Sequence, residues 1–211
     1  MKEQNQQEGE LSTQRIEASS DGVFAIAITL PILEIRLPPH AEGTHESLAA
    51  TLVSLWPSYF AYIFSFVMIG IYWVNHHYIF KIYQKTARVF NLLNVFFLMC
   101  ISFLPFPTAV LGEHLLDEKE QKTAIIFYVF GLLLAAASWF LKWLYASCHY
   151  QLIDNHLSPH FVSYLTIQYG LSVIFYASAL IISVIQPKVG LAIAVGLTFL
   201  YLLPSKKPAY T

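Results

Sequence analysis

The first hydrophobic stretch limits most tightly how this chain folds, because it mixes side chains that a membrane helix keeps apart. It runs from Arg15-Ile-Glu-Ala-Ser-Ser-Asp21 into Gly22-Val-Phe-Ala-Ile-Ala-Ile-Thr-Leu-Pro-Ile-Leu33. Its purely apolar part, Gly22 to Leu33, is about 12 residues, which at ~1.5 Å per residue covers roughly 18 Å of a hydrocarbon core about 30 Å thick. Polar groups must therefore follow it into the membrane. An ionisable group facing lipid is costly, so Arg15, Glu17, Ser19, Ser20 and Asp21 need shielding by protein. Arg15 and Asp21 are too far apart along a helix to pair with each other. Each requires a partner on another helix, which predicts a central place in a bundle for this first span.

That a bundle exists follows from composition. Of 211 residues, 56% are hydrophobic and 12% charged, about half the charge of a soluble domain. The formal net charge of -1, with no basic patch or arm, gives no reason to expect a nucleic-acid partner. The lipid bilayer is the expected environment. Two cysteines, Cys100 and Cys148, make neither a disulfide framework nor a metal-spaced set. The polar stretch Met1 to Gln14 lacks the apolar core and cleavage site of a signal peptide, so the first span is expected to stay in the mature protein.

Six spans are expected. After the first, Pro38, Pro39 and Gly43 break the segment Arg36–Ser47 into a short loop. The second runs from Leu48 to Tyr83, too long for one simple crossing, with Pro57 as a kink or interfacial entry. Near its end Tyr72, Trp73 and Tyr78 fit an aromatic belt, and Asn75, His76 and His77 supply hydrogen-bonding partners for Arg15 and Asp21. The third covers Val89 to Leu111, with Asn91 and Asn94 at its start and Pro105-Phe-Pro107 near its end. The fourth, Thr123 to Tyr145, carries the small run Ala135-Ala-Ala-Ser138 that permits close helix approach. A fifth, Phe161 to Ile185, and a sixth, Val189 to Leu203, are joined by the tight Gln186-Pro-Lys188. Six crossings put both termini on one side. Lys2, Arg15, Lys81, Lys85, Arg88, Lys142, Lys206 and Lys207 fall on that side, against Arg36, Lys119, Lys122 and Lys188 opposite, so both termini are expected in the cytoplasm. With no repeat or linker, residues 1–211 read as a single domain.

Several chemistries were weighed against these residues. His76 and His77, with His149, His156 and His160, suggest a metal or haem site, but adjacent histidines point to different helix faces, and hydrogen bonding is the better reading. Ser19, Ser20 and Asp21 beside histidines suggest an intramembrane hydrolase. The nucleophile elbow is missing, however, and no second carboxylate lies deep in another span, so no catalytic residue, cofactor or metal is assigned. Pro31, Pro57 and Pro105-Phe-Pro107 fit the broken helices of a transporter, but no halves match. Ile26, Leu30 and Leu33 recur at i, i+4 and i+7 as one helical stripe with Thr29 beside it, a pattern that from periodicity alone is more often ordinary packing than a pore lining. Neither a Thr-Val-Gly-Tyr-Gly filter nor an acidic ring is present.

Arg15-Ile-Glu-Ala-Ser-Ser-Asp21 with Gly22-Val-Phe-Ala-Ile-Ala-Ile-Thr-Leu30 resembles the signature of the transmembrane protein 175 family, the endosomal and lysosomal potassium channels and their prokaryotic relatives. The family pattern is Arg-x-x-x-Phe-Ser-Asp. Arg15, Ser20 and Asp21 match it, and Ser19 stands where the family has Phe. Trp56-Pro-Ser-Tyr59, Ile71-Tyr-Trp-Val-Asn-His-His77 and Leu104-Pro-Phe-Pro-Thr108 resemble the bacterial branch, so the similarity covers nearly the whole chain. The resemblance implies an all-α polytopic membrane protein with six transmembrane helices, the first lining a central pore in a homotetramer. It implies a cell-membrane channel with potassium as permeant ion. Carried over by position, Ile26, Leu30 and Leu33 form stacked hydrophobic constrictions, with Ile26 the tightest, and Thr29 adds a hydroxyl. Arg15, Ser20 and Asp21 brace the first helix against Trp73, Asn75 and His77, and Ser19 is expected to loosen that helix. The alternative is a secondary transporter or proton pathway using Asp21 and His77. An electrically silent scaffold is a third possibility.

Overall fold

A computed structural model describes residues 13–37, 47–202 and 208–210, apart from the side chain of Glu34. The expected loop breakers Pro38, Pro39 and Gly43, and the charges Lys2, Lys206 and Lys207, lie outside the described residues. Among the described residues the regular structure is helical: α1 (Thr13–Thr29), a 3-10 turn (Leu30–Glu34), α2 (Leu48–Ser54), α3 (Trp56–Phe80), α4 (Arg88–Phe103), α5 (Pro105–His114), α6 (Gln121–Ser147), α7 (Pro159–Ile185) and α8 (Pro187–Leu200), with a short 3-10 turn at Cys148–Tyr150.

Proline and serine set most of these boundaries. Pro57, Pro105, Pro159 and Pro187 each stand in the first turn of a helix, where a missing N–H costs nothing. Ser47 and Ser158 cap α2 and α7 by accepting from the amides of Ala50 and Phe161. Pro57 also explains why the expected second span divides. The chain bends at Leu55, so the short α2 buries no residue, and the crossing is α3 alone, 25 residues or about 38 Å. Likewise the third span is two helices, α4 and α5, meeting at Leu104 before Pro105.

Among the described residues five segments are long and apolar enough to cross a membrane: Thr13–Leu33, Trp56–Phe80, Arg88–His114, Gln121–Tyr150 and Pro159–Ile185. The expected sixth is α8, a shorter apolar helix of 14 residues, about 21 Å long.

Within the protomer the central element is α6, not α1. It packs against α4, α5, α7 and α8, and buries Tyr128, Leu132, Ala135, Ser138, Trp139, Lys142 and Trp143 among others. By contrast α1 rests at the edge on α3 and α4 and buries only Ser20, Phe24 and Ala27. Those three recur at i, i+4 and i+7, a single narrow stripe. The apolar segment is too short to surround, so one face is held and the other left uncovered.

The loops on the face where α1 begins are tied together. Tyr83 and Ile153 form an isolated antiparallel bridge, and the Leu157–Tyr210 bridge fixes residues 208–210 beside it. At the opposite face α7 and α8 form a tight hairpin built on small residues. Ala179 and Ser183 on α7 meet Gly190 and Ala194 on α8, and all four are buried. Such four-residue spacings of small side chains let apolar helices pack backbone to backbone.

A Cβ added at Gly190 would stand 2.6 Å from the Ala179 carbonyl oxygen and 2.7 Å from the Ser183 amide nitrogen. Because backbone cannot yield as a side-chain tip can, Gly190→Ala is expected to part the hairpin and destabilise the fold by about 1–3 kcal/mol. A thermal unfolding midpoint in detergent unchanged from wild type would contradict this.

Candidate functional site

Polar residues that the sequence leaves scattered through four apolar helices meet at one buried point. Asn94 of α4 is the hub. Its Oδ1 lies 3.1 Å from Lys142 Nζ of α6 and 3.2 Å from His76 Nε2 of α3, and its Nδ2 donates to Ser20 Oγ of α1 at 2.9 Å. Ser20 Oγ in turn donates to the Ile16 carbonyl at 2.7 Å. This order fixes the amide orientation, since turning Asn94 over would set its NH2 against the lysine donors. It also places the His76 proton on Nε2, leaving Nδ1 buried without a hydrogen-bond partner.

Lys142 is fully buried, and among the described residues no carboxylate pairs with it. Aromatic rings take that place. Nζ sits 4.3 Å from the Phe97 ring centre, 4.8 Å from Trp139 and 5.4 Å from Phe80, the geometry of a cation–π contact. The His76 ring stacks on Phe80 at 4.3 Å and meets Phe24 of α1 edge-on at 5.3 Å. Serine and phenylalanine of the α1 stripe are therefore both tied to this cluster. Since Lys142 points into the bundle, it does not belong to a charged loop and drops out of the orientation tally.

A second, half-exposed row lies along the seam between α1 and α3. Trp73 Nε1 donates to Asp21 Oδ1 at 2.9 Å, and His77 Nδ1 lies 2.8 Å from Glu17 Oε1. Asp21 and Trp73 thus come together, but the other expected braces differ. His77 takes Glu17 as its partner. Asn75 donates to the Ile71 carbonyl of its own helix at 2.8 Å and lines cavities on the other side of α3. Arg15 is exposed and makes no ion pair or side-chain hydrogen bond among the described residues. Ser19 is also exposed, so a missing ring there removes no packing inside the protomer. Among the described residues no group of three or more metal-binding side chains gathers.

Glu17 and His76 are legible in the sequence as polar groups in need of partners, but the expected bracing set omits them along with Asn94 and Lys142. One signal was available for Lys142: it is a lone charge inside an otherwise apolar run, and such a residue inside a membrane segment faces a protein partner.

The free face of α1 carries the expected stripe. Ile26, Leu30 and Leu33 are 59%, 48% and 65% exposed. The stripe does not stay on one α-helix, because Pro31 has no N–H for the Ala27 carbonyl and the chain tightens to 3-10 from Leu30. In a 3-10 turn residues i and i+3 eclipse, so Leu30 and Leu33 still share a side. Thr29 Oγ1 donates back to the Ala25 and Ile26 carbonyls at 2.9 and 3.1 Å, which leaves its oxygen able to accept. Below Ile26 the same face shows Ala18, Ser19, Gly22 and Ala25, all exposed and small, and a Cβ added at Gly22 meets nothing within 4 Å.

The family model for the endosomal/lysosomal potassium channel TMEM175 matches residues 15–105. A potassium channel of Chamaesiphon minutus is 39% identical over 194 residues, 92% of this chain and 95% of that protein. A potassium channel of Streptomyces collinus is 36% identical over 187 residues, 89% of each. Among solved structures, a homologue of the lysosomal potassium-selective channel from Chamaesiphon minutus superposes with a TM-score of 0.78 at 37% identity, covering 90% of this chain and 96% of that one.

The hub predicts an order of mutational damage. Asn94→Ala strands donors on Lys142 and His76 together, and is expected to cost about 3–5 kcal/mol. Lys142→Met keeps the volume and leaves Asn94 bonded to His76, so it should be near neutral or stabilising. Thermal midpoints of the two purified variants measure this, and equal losses would show that the buried amine is not what Asn94 is there to satisfy.

Proposed function

The chain belongs to the TMEM175 family, and from that premise we propose that it is a potassium-permeable cation channel formed by four copies around their first helices. The observation that carries this reading is the two-sided character of α1. One face is tied down by Ser20, Phe24 and the Asp21–Trp73 bond. The other leaves small residues, then Ile26, Thr29, Leu30 and Leu33, uncovered. A lipid-facing surface has no use for Arg15 and Ser19 in line with that stripe. Four such faces converging have room at Ala18, Gly22 and Ala25, where small side chains let helices approach.

In this assembly Ile26 forms the narrowest ring, and Leu30 and Leu33 stack beyond it. Apolar rings close a pore by dewetting and open it when the helices rotate or spread. The Thr29 oxygens, with their protons committed to the helix backbone, are the candidate ligands for a passing potassium ion. Residues 1–211 act as one channel domain in the cell membrane, with both termini cytoplasmic. No cofactor enters the mechanism. In the alternative, a proton pathway or coupled transporter, Asp21 and His77 would move protons. Their partners are Trp73 and Glu17, and the two pairs lie one helical turn apart near one end of the α1–α3 seam.

Purified protein in a planar bilayer, under opposed potassium and sodium gradients, is expected to give stepwise ohmic currents. Ile26→Asn should raise the unitary conductance or leak severalfold by wetting the tightest ring. Silence from both proteins, with gradient-coupled uptake into vesicles instead, would replace the channel by the transporter.

A further inference from the structure

Away from the free face of α1, a cavity of about 440 Å³ opens where α3 parts from the α7–α8 hairpin, floored by α6. Helix α3 makes little direct contact with α7 or α8, so the space between them is held open by α6 and not filled by side chains. Its volume is that of a small-molecule site. No Asp, Glu, Lys, Arg or His lines it; phenols, hydroxyls and amides do. Some of these satisfy one another. Tyr176 Oη and Thr198 Oγ1 lie 2.9 Å apart, and Ser172 and Tyr201 pair. Gln168 and Tyr72 line the same cavity, and among the described residues neither side chain makes a hydrogen bond.

A second, apolar groove joins this cavity. It shares Ile71, Asn75 and Tyr201 with the first and runs along α3 past Phe66, Gly70 and Val74, bordered by Trp73 and by Ile28 of α1 but by none of Ile26, Thr29, Leu30 and Leu33. A Cβ added at Gly70 meets nothing within 4 Å, so the groove is open at that point. An uncharged chamber whose apolar walls carry several hydroxyls and amides thus opens into a groove that is almost wholly apolar. The chamber lies at the level of Tyr72, Trp73 and Tyr78, aromatic residues of the kind that mark the depth of lipid headgroups.

We infer that this pair of cavities binds a membrane lipid with an uncharged, hydroxyl-bearing head, its head among Tyr72, Gln168 and Ser172 and its single acyl chain along Gly70. A phosphate or carboxylate head would enter without a counterion, which desolvation penalises. Hydroxyls both donate and accept, as a free amide and a free phenol require. The site is separate from the proposed pore.

The test uses a monoacylglycerol carrying a diazirine in its acyl chain, photolysed with the purified full-length protein in lipid nanodiscs, and the labelled peptides identified by mass spectrometry. Saturable labelling of the peptides holding Gly70 and Tyr164–Tyr176, competed by unmodified monoacylglycerol, is expected. Gln168→Leu should weaken it roughly fivefold, the factor that about one neutral hydrogen bond carries. Gly70→Leu removes a helix-interior glycine and fills the groove, so it should abolish labelling near residue 70. Equal labelling by a phosphatidylglycerol bearing the same chain, measured on the wild-type protein and so independent of how the variants fold, would overturn the uncharged-head assignment. Labelling that never saturates, or that both variants leave unchanged, would overturn the site. Labelling is read whether or not the protein conducts, so this result and the channel measurement fail separately.

Discussion

The cost of placing a lysine in an apolar interior organises the protomer. Lys142 projects from the most buried helix into a space closed to bulk solvent, and the fold answers with one amide oxygen and three aromatic faces. Asn94 is useful there because its two ends differ: the oxygen takes donors from α6 and α3, and the nitrogen reaches α1. Four helices are thereby fixed in register by one side chain. Dispersion between leucines is tolerant of sliding, whereas buried hydrogen bonds are directional, so the polar cluster specifies what the apolar packing merely favours.

For α1 this connection has a particular meaning. The helix touches the bundle along one stripe, where Ser20 and Phe24 meet the polar cluster, and Asp21 adds a bond to Trp73 on the seam with α3. Hydrogen bonds secure its amino-terminal half, while the segment from Leu30 onward turns to 3-10 and packs on α3 and α5. The two ends of the helix are thus restrained differently, one by directional polar contacts and the other by apolar packing.

Much of this was legible in the sequence for a definite reason. Twelve apolar residues cannot fill a bilayer, so the polar flank of α1 had to find partners, and Asp21 with Trp73 is one such pair. The prolines were equally readable as kinks or breaks, and the structure gives them their form: Pro57 stands where α2 gives way to α3, and Pro31 ends the α-helix inside the stripe. Which residues pair across helices depends on rotation about each axis, and composition is silent on that. His76 and His77 are neighbours in the chain, and a turn of about 100° per residue sends one to the buried hub and the other to the seam with Glu17. Lys142 misled for a related reason: its nearness to the end of a span suggested a loop, but burial is decided by which face it occupies.

The brevity of α8 bears on the membrane itself. At about 21 Å it falls roughly 9 Å short of an average hydrocarbon core, while its hairpin partner α7, with 27 residues, exceeds that thickness. Lipid beside α8 must therefore thin to meet it, at a cost of fractions of a kcal/mol for each ångström of mismatch. The perimeter of the protein is uneven, thin along one edge and thick along the next. The cost of embedding such a rim depends on the thickness of the bilayer around it.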